Sequence, residues 1–578
     1  MADRRTRELL VNARLVTATA ASRLAADPVE FLVLVARRSP ARLRHRLAQA
    51  LSRARWPEVV ALAPLVADQP GQARSALAGH APAASAVRRR IGAAVAAALG
   101  DHEDGIPEFP VAAARAAWLG GDDEYAVTLL SSDPSRSARS LLTAYRGDLE
   151  VLAAGYELEP VGRRASPIAA TASVHLLVNS RPHTQSGYSL RSHGLLRALR
   201  AAGTDAQAAT RLGYPVTIGV PIARHRDVVD GVPYHRLIAA RPGPDQPRRL
   251  AQTARLLVQL SEQLRPGVLH TTSPYQNGLI VDAVARGTGR PWVYEVRGQP
   301  ELTWAARAER SHGDPERIAR RVALIAAKEI EVARRADRVV TTSETMRADL
   351  LARGLAAEQV VVVPNAVERQ LLAMGPSREQ ARAAVGIPDD EVWVGSITSV
   401  VDYEGLDTLV RAVRIARDRA VPLRCAIVGD GVVLPHLRSL VAELRLDDVV
   451  RLPGRVPPAL AQTWHRALDV FVVPRRDLPV CRVVTPLKPV EAMAAGRPLV
   501  VSDVPALAEL VATGAGLRVT PDDAEALAAA LEMLAADPAQ RHTCGEAGRE
   551  FASRRTWEAG AGTILGVYEE LAETGVRT

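Results

Sequence analysis

Residues 475–505, RRDLPVCRVVTPLKPVEAMAAGRPLVVSDVP, run from a basic loop through a short helical stretch into the apolar segment 499–501. They contain Lys488, one of only two lysines in a chain with 73 lysines and arginines. Everywhere else except Lys328, a cation is supplied by arginine. A compact, strongly hydrated ammonium does a different job from a flat guanidinium fork. Alone, Lys488 would read as an ordinary surface lysine. Set before Glu491 at the mouth of a predicted helix, it reads as a point charge placed against a phosphate.

The same rhythm of apolar run, turn and helix repeats on both sides. After the run 360–363, further runs at 392–397, 423–428, 449–452, 470–473, 499–501 and 517–519 alternate with helical patterns. Upstream, 174–178, 268–270, 292–296 and 338–341 do the same, and Ser343 is placed to cap the helix that follows. Apolar strands separated by helices predict parallel sheets covered on both faces. Two successive sets predict an α/β fold of two doubly wound, Rossmann-like domains, at 173–365 and 366–578. Ligands of such sheets lie beyond the carboxyl ends of the strands, so chemistry is expected in the cleft between the domains.

Residues 1–165 are expected to form an all-α N-terminal region. Apolar residues recur at helical spacing in 9–15, 31–35, 59–66 and 91–99, punctuated by Pro40, Pro57 and Pro70. The stretch 112–130, AAARAAWLGGDDEYAVTLL, predicts a helical hairpin around Gly120-Gly121, like one unit of a helical repeat, although no clean period follows. Residues 158–172, richer in Pro, Gly, Ser and Ala, are expected to link this region to the first α/β domain.

At 578 residues, one core is too few. The cysteines Cys425, Cys481 and Cys544 are far apart and form no C-x-x-C pair, which argues against a disulfide framework or structural zinc and fits a reducing compartment. The N-terminus lacks a signal-type apolar core, and the apolar runs are shorter than a membrane span. A cytoplasmic protein is expected, with peripheral attachment to the inner face of a membrane as an option. The net charge of +9 is concentrated early, residues 1–100 holding 16 arginines against 6 acids. A solvated helical surface accounts for this first; an anionic membrane surface or a protein partner comes next. Arg42, Arg44, Arg46, Arg53 and Arg55 lack interleaved aromatics, so no nucleic acid is expected.

Several segments carry candidate chemistry. In SRPHTQSGY (180–188), Gly187 lets backbone N–H groups approach an anion at a helix start. His270 ends the run 268–270, where a structural histidine is nearly as good a reading as one facing the cleft. In YEVRG (294–298), alternation puts Glu295 and Arg297 on one face, to pair with each other or to grip a polyhydroxylated substrate. In the second half, Ser396 leaves a strand, Glu404 and Gly405 open a helix, and Gly429 begins a Gly-Asp-Gly turn. Glu491 lies one turn into its helix, where a carboxylate can accept two hydrogen bonds from a ribose diol.

Together these phrases resemble the retaining glycosyltransferases of family 4, which have the two-domain GT-B fold. The resemblance covers 174–578 and rests on HTTSPYQNG (270–278), YEVRG (294–298), PNAV (364–367), YEGL (403–406) and VTPLKPVEAMAAGRPLVVSD (484–503), in that order. It implies transfer of a hexose from a nucleotide-diphosphate sugar, UDP- or GDP-linked, with retention at the anomeric carbon. It implies a polysaccharide or glycolipid-type acceptor, with no metal and no further cofactor. The donor would sit in the C-terminal domain, the acceptor in the preceding one, and 364–367 at the linker. By position, Glu491 would bind the nucleotide ribose, Gly187 would border the phosphates, and His270, Glu295 and Arg297 would serve near the transferred sugar. Ser396, Glu404, Gly405, Gly429, Arg475 and Lys488 would line the donor pocket.

Two departures qualify this. Many family members have a second glutamate where Val483 stands, and an Arg and a Lys where this chain has Ser396 and Glu404. Lys488, with Arg475 or Arg482, is expected to take over the diphosphate. The alternatives are a nucleotide-sugar-binding protein without catalysis, or a GT-B nucleotide-sugar 2-epimerase.

Overall fold

Strand-forming segments of this chain are short apolar runs, and a run buried on both faces has nowhere stable to sit except inside a helix-covered sheet. The structure, a computed structural model, describes residues 2–575 except 68, 78–84, 100–107, 165–168, 311–312 and 374. Part of the expected linker, 165–168, thus lies outside the described residues.

The first sheet has eight strands: β1 Ala169–Leu177, β2 Ala206–Thr210, β3 Arg226–Val229, β4 Val232–Arg236, β5 Pro266–Thr272, β6 Trp292–Val296, β7 Arg338–Thr341 and β8 Val360–Val362. Their order is β3-β4-β2-β1-β5-β6-β7-β8, parallel except for the β3–β4 hairpin. The second has six parallel strands: β9 Val392–Ile397, β10 Leu423–Val428, β11 Val450–Gly454, β12 Val470–Val473, β13 Leu499–Ser502 and β14 Gly516–Val519, ordered β11-β10-β9-β12-β13-β14. Every residue of β5, β6 and β12 is buried, as parallel strands in a three-layer sandwich require. Two Rossmann-like α/β lobes after a helical region are therefore what the sequence pattern implies. The strands it did not indicate are β2, rich in alanine, and the β3–β4 hairpin, turned by Asp230 and Gly231 with φ of 48° and 78°.

The helical region is stitched to the first lobe. Val151, Leu152 and Leu158 belong to the same core as Leu257, Leu279 and Trp292. Helices Pro110–Leu119 and Asp123–Ser132 form the expected hairpin, with Asp122 capping the second. Arg321 of the first lobe lies 4.0 Å above the Trp118 ring and 5.4 Å from that of Trp304, and pairs with Asp123.

The last helix, Trp557–Gly575, crosses back. Trp557, Ile564 and Tyr568 pack with Leu195, Leu199 and Val268 of the first lobe. A Cβ on Gly194 would lie 2.5 Å from the Trp557 ring, so glycine is required where these helices touch.

Candidate active site

The carboxyl ends of both sheets face one cleft. On the first-lobe side, helix Gly187–Ala201 begins at the loop after β1. Ser186 caps it, its hydroxyl accepting from Ser189 N at 3.2 Å while Ser186 N donates to the Ser189 hydroxyl at 2.8 Å. A Cβ on Gly187 would meet nothing within 4 Å, so this helix start opens onto free space.

On the opposite side, the turn Asp402–Glu404 and Gly405 approach the segment after β12. Gly405 has φ 62°, and a Cβ there would stand 1.9 Å from Pro474 O. Only glycine allows that turn. Arg475 is buried beside it, donating from Nη2 to Glu404 Oε1 at 2.7 Å and from Nη1 to Val484 O at 2.9 Å. Burial alone would lower its pKa, but Glu404 raises it further, so this guanidinium is firmly charged and firmly paired. Arg482 is committed too, to Asp477. A Cβ on Gly429, after β10, would come 1.8 Å from Thr398 O, which packs two strand-end loops together.

Tyr188 joins the sides. The residue is 54% exposed, yet its phenol is hemmed in enough for desolvation to raise its pKa, against the opposing pull of Arg297 of its own lobe and Arg475 of the other.

Lys488 opens helix Lys488–Ala494, with Pro489 in the first turn as the sequence suggests. Its Nζ donates to Glu491 Oε2 at 3.1 Å, and His465 Nε2 lies 3.4 Å from the same oxygen. Burial pushes the Glu491 carboxyl up, but Lys488 and His465 outweigh it and hold the pKa at about 2. Lys488 and Glu491 both keep some solvent access.

Beneath the cleft floor lies a buried network of charged and aromatic side chains, in which His270 Nε2 and Arg297 Nε keep no hydrogen-bond partner among the described residues. Glu295, fully buried, accepts from Arg191 Nε at 2.7 Å and from Arg297. Desolvation favours its neutral form, yet Arg297 and Arg191 hold its pKa well below the carboxylate range. Arg191 also donates to Val363 O at 2.6 Å, Pro364 O at 2.8 Å and Asn365 Oδ1 at 3.3 Å. Asn365 Nδ2 in turn donates to Thr485 O at 2.9 Å, so the linker is clamped from both lobes. His270 stacks on His175 with centroids 4.3 Å apart, and its Nδ1 lies 2.8 Å from the Tyr568 hydroxyl.

Two family descriptions match the chain: a glycosyl transferase 4-like domain at 186–366 and glycosyl transferases group 1 at 389–537. The D-inositol 3-phosphate glycosyltransferase of Streptomyces avermitilis is 30% identical over 377 residues, 62% of this chain and 76% of that protein. The chain belongs to the group 1, type 4-like glycosyltransferases. Its fold is that of sucrose-phosphate synthase from Thermosynechococcus elongatus (TM-score 0.57, 23% identity, 70% of this chain and 100% of that one). It also matches Anabaena HepE in complex with UDP (TM-score 0.53, 17% identity, 69% and 100%).

In this glycosyltransferase the candidate residues fall into three groups. Gly187, Glu404, Gly405 and Arg475 border the cleft, where Tyr188 brings the two sides together. Lys488 and Glu491 form a pair of their own with His465. His270, Glu295 and Arg297 sit in the floor with exposures of 0%, 0% and 5%, tied to the protein itself through Tyr568, Arg191 and each other. Glu295 and Arg297 do pair, one of the two roles open to them from sequence. Ser396 is buried within β9, and Gly429 serves loop packing. Arg191, His465 and Tyr568 lie outside the candidate segments of the sequence, and Asn365 stands there only within the linker phrase 364–367. Arg191 follows Gly187 by one helical turn, but nothing local ties it to a glutamate 104 residues away.

Proposed function

We propose that this glycosyltransferase moves a hexose from a nucleotide-diphosphate sugar to a polysaccharide or glycolipid-type acceptor, with retention and without a metal. One observation carries the reading. Of the cations near the cleft's donor side, Arg475 and Arg482 are spent on Glu404 and Asp477, whereas Lys488 holds a carboxylate that a donor would claim. A ribose diol donating to Glu491 would free the ammonium for the departing diphosphate, a fixed charge placed where charge develops. Front-side attack assisted by the leaving phosphate fits a site in which the buried carboxylate, Glu295, is already neutralised by two guanidiniums.

The curated relative's name makes a phosphorylated cyclitol a sensible first acceptor, beside lipid-linked and oligosaccharide acceptors. Transfer from UDP- and GDP-sugars, assayed in EDTA with products separated and the anomer read by NMR, tests every part. Wild-type rates in both Lys488→Ala and Lys488→Arg would defeat the assignment; a C2-inverted nucleotide sugar as product would indicate an epimerase.

A second reading keeps one supporting observation. Val483 packs against the first-lobe core where many family members carry a glutamate, and Glu404 neutralises Arg475. Tight nucleotide-sugar binding with no turnover on any acceptor would favour a binding protein.

A further inference from the structure

We propose that the appended helices dock this protein on an anionic lipid bilayer, through helix Ala2–Ala26, helix Pro28–Arg38 and the loop 216–222. Helix Ala2–Ala26 packs against helix Pro28–Arg38, helix Arg136–Leu152 and the turn 216–218, and keeps part of its surface exposed. Asn12 and Leu15 are buried, and Asn12 Nδ2 donates to Ala223 O at 2.8 Å and Pro221 O at 3.0 Å. Leu9, Val16 and Leu24 of the same helix stay exposed, and nearby Val35 and Ile222 are 46% and 70% exposed. A groove of about 320 Å³ lies between these elements, walled by Val16, Ala20, Phe31, Leu34 and Pro221. Apolar side chains gathered around an open groove mark a contact surface.

Charge identifies the occupant. Among the described residues, four carboxylates of this region are already engaged: Glu8 by Arg5, Asp27 and Glu30 by Arg115, and Glu58 by Arg88. Arg23, which lines the groove, and Arg42 and Arg46 on the next helix have no ion-pair partner among the described residues. Exposed apolar groups around the guanidinium of Arg23, with Arg42 and Arg46 adding charge on the next helix, suit a lipid interface, where acyl chains receive the former and phosphates the latter. Among the described residues no helix is long and apolar enough to cross a membrane, so the contact lies in the interface plane.

The surface also borders the cleft. Tyr214, just before the loop, donates to Ser180 O at 2.7 Å and bonds Thr184 Oγ1 at 2.8 Å, in the segment leading to Gly187. Docking would bring the first-lobe edge of the cleft to the bilayer.

Co-sedimentation of the full chain with phosphatidylcholine vesicles, with and without phosphatidylglycerol, tests this without any nucleotide sugar, so a failed transferase reading leaves the result untouched. Salt-sensitive binding to the anionic vesicles is expected. It should weaken about tenfold in Val16→Glu/Val35→Glu and in Arg23→Gln/Arg42→Gln, but not in Val432→Glu on the second lobe. The arginine variant alters only side chains with solvent access and gives the readout even if the first misfolds. Equal affinity for neutral and anionic vesicles overturns the proposal, as does binding untouched by both double variants. Wild-type self-association that these variants abolish, without vesicle binding, would assign the face to a second copy instead.

Discussion

Arg191 Nε lies 2.7 Å from Glu295 Oε1, and the same guanidinium grips the carbonyls of Val363 and Pro364. A single side chain thus neutralises a carboxylate under the cleft and anchors the segment joining the lobes. Removing one member of a buried charge pair leaves the other uncompensated, at about 3–5 kcal/mol. Arg191→Ala is expected to lose that much stability in urea unfolding, and Glu295→Gln less, because its amide still accepts from a guanidinium. Equal stability of Arg191→Ala and the wild type would disprove the anchoring role.

Lys488 and Arg482 should behave oppositely. Lys488→Ala is expected to lower kcat/KM on a nucleotide sugar by about a hundredfold, the scale of removing one preorganised contact to developing charge. Arg482 is exposed and paired with Asp477, so Arg482→Ala should stay within a few-fold of wild type. Steady-state kinetics on both separates the cation that serves chemistry from the one that serves the surface.

Gly405→Ala should fail for steric reasons. Its φ of 62° strains any side chain by about 1–2 kcal/mol, and the new methyl would collide with Pro474 O. Lower thermal stability together with weakened nucleotide-sugar binding is the expected result by calorimetry.

Acid should unfold the protein through buried histidines before it reaches Glu491. His175 and His270 are kept neutral, their pKa values pushed below the ordinary 6.5 by burial. The unfolded chain takes up the protons that the folded one refuses. Stability therefore falls as pH drops below 6.5, by up to about 1.4 kcal/mol per pH unit for each histidine. Glu491, ordinarily near 4.5 and held at about 2, contributes stability above 4.5 that is lost only as pH falls towards 2. Urea titrations from pH 7 to 5 should show the histidine slope, reduced in His270→Gln.

Deletion of residues 1–165 is expected to give an aggregating fragment. It strips Val151, Leu152 and Leu158 from the first-lobe core and leaves Arg321 without Asp123 and Trp118. A soluble fragment with wild-type melting would contradict this.

Much of the fold was legible because buried parallel strands are written as unbroken apolar runs. The segments 292–296, 338–341, 392–397 and 470–473 coincide with β6, β7, β9 and β12. β2 escaped because AQAAT carries no such signal, although the Asp230-Gly231 turn of the hairpin β3–β4 was there to be read. Lys488 with Glu491 was visible as local spacing on one helix. The Arg191–Glu295 and His270–Tyr568 contacts were not, since they join segments 104 and 298 residues apart that meet only once the sheet has formed.

The final helix has a mechanical consequence. The chain crosses between lobes at 363–367 and returns at 554–557, and the two crossings run side by side, joined by Val367 N to Arg555 O at 2.8 Å. A body hung on two adjacent threads can swing about the line they define but resists shear and free rotation. Opening to admit substrate and closing over it would thus be a one-axis rocking of the second lobe, with Trp557 seated at Gly194 as its bearing.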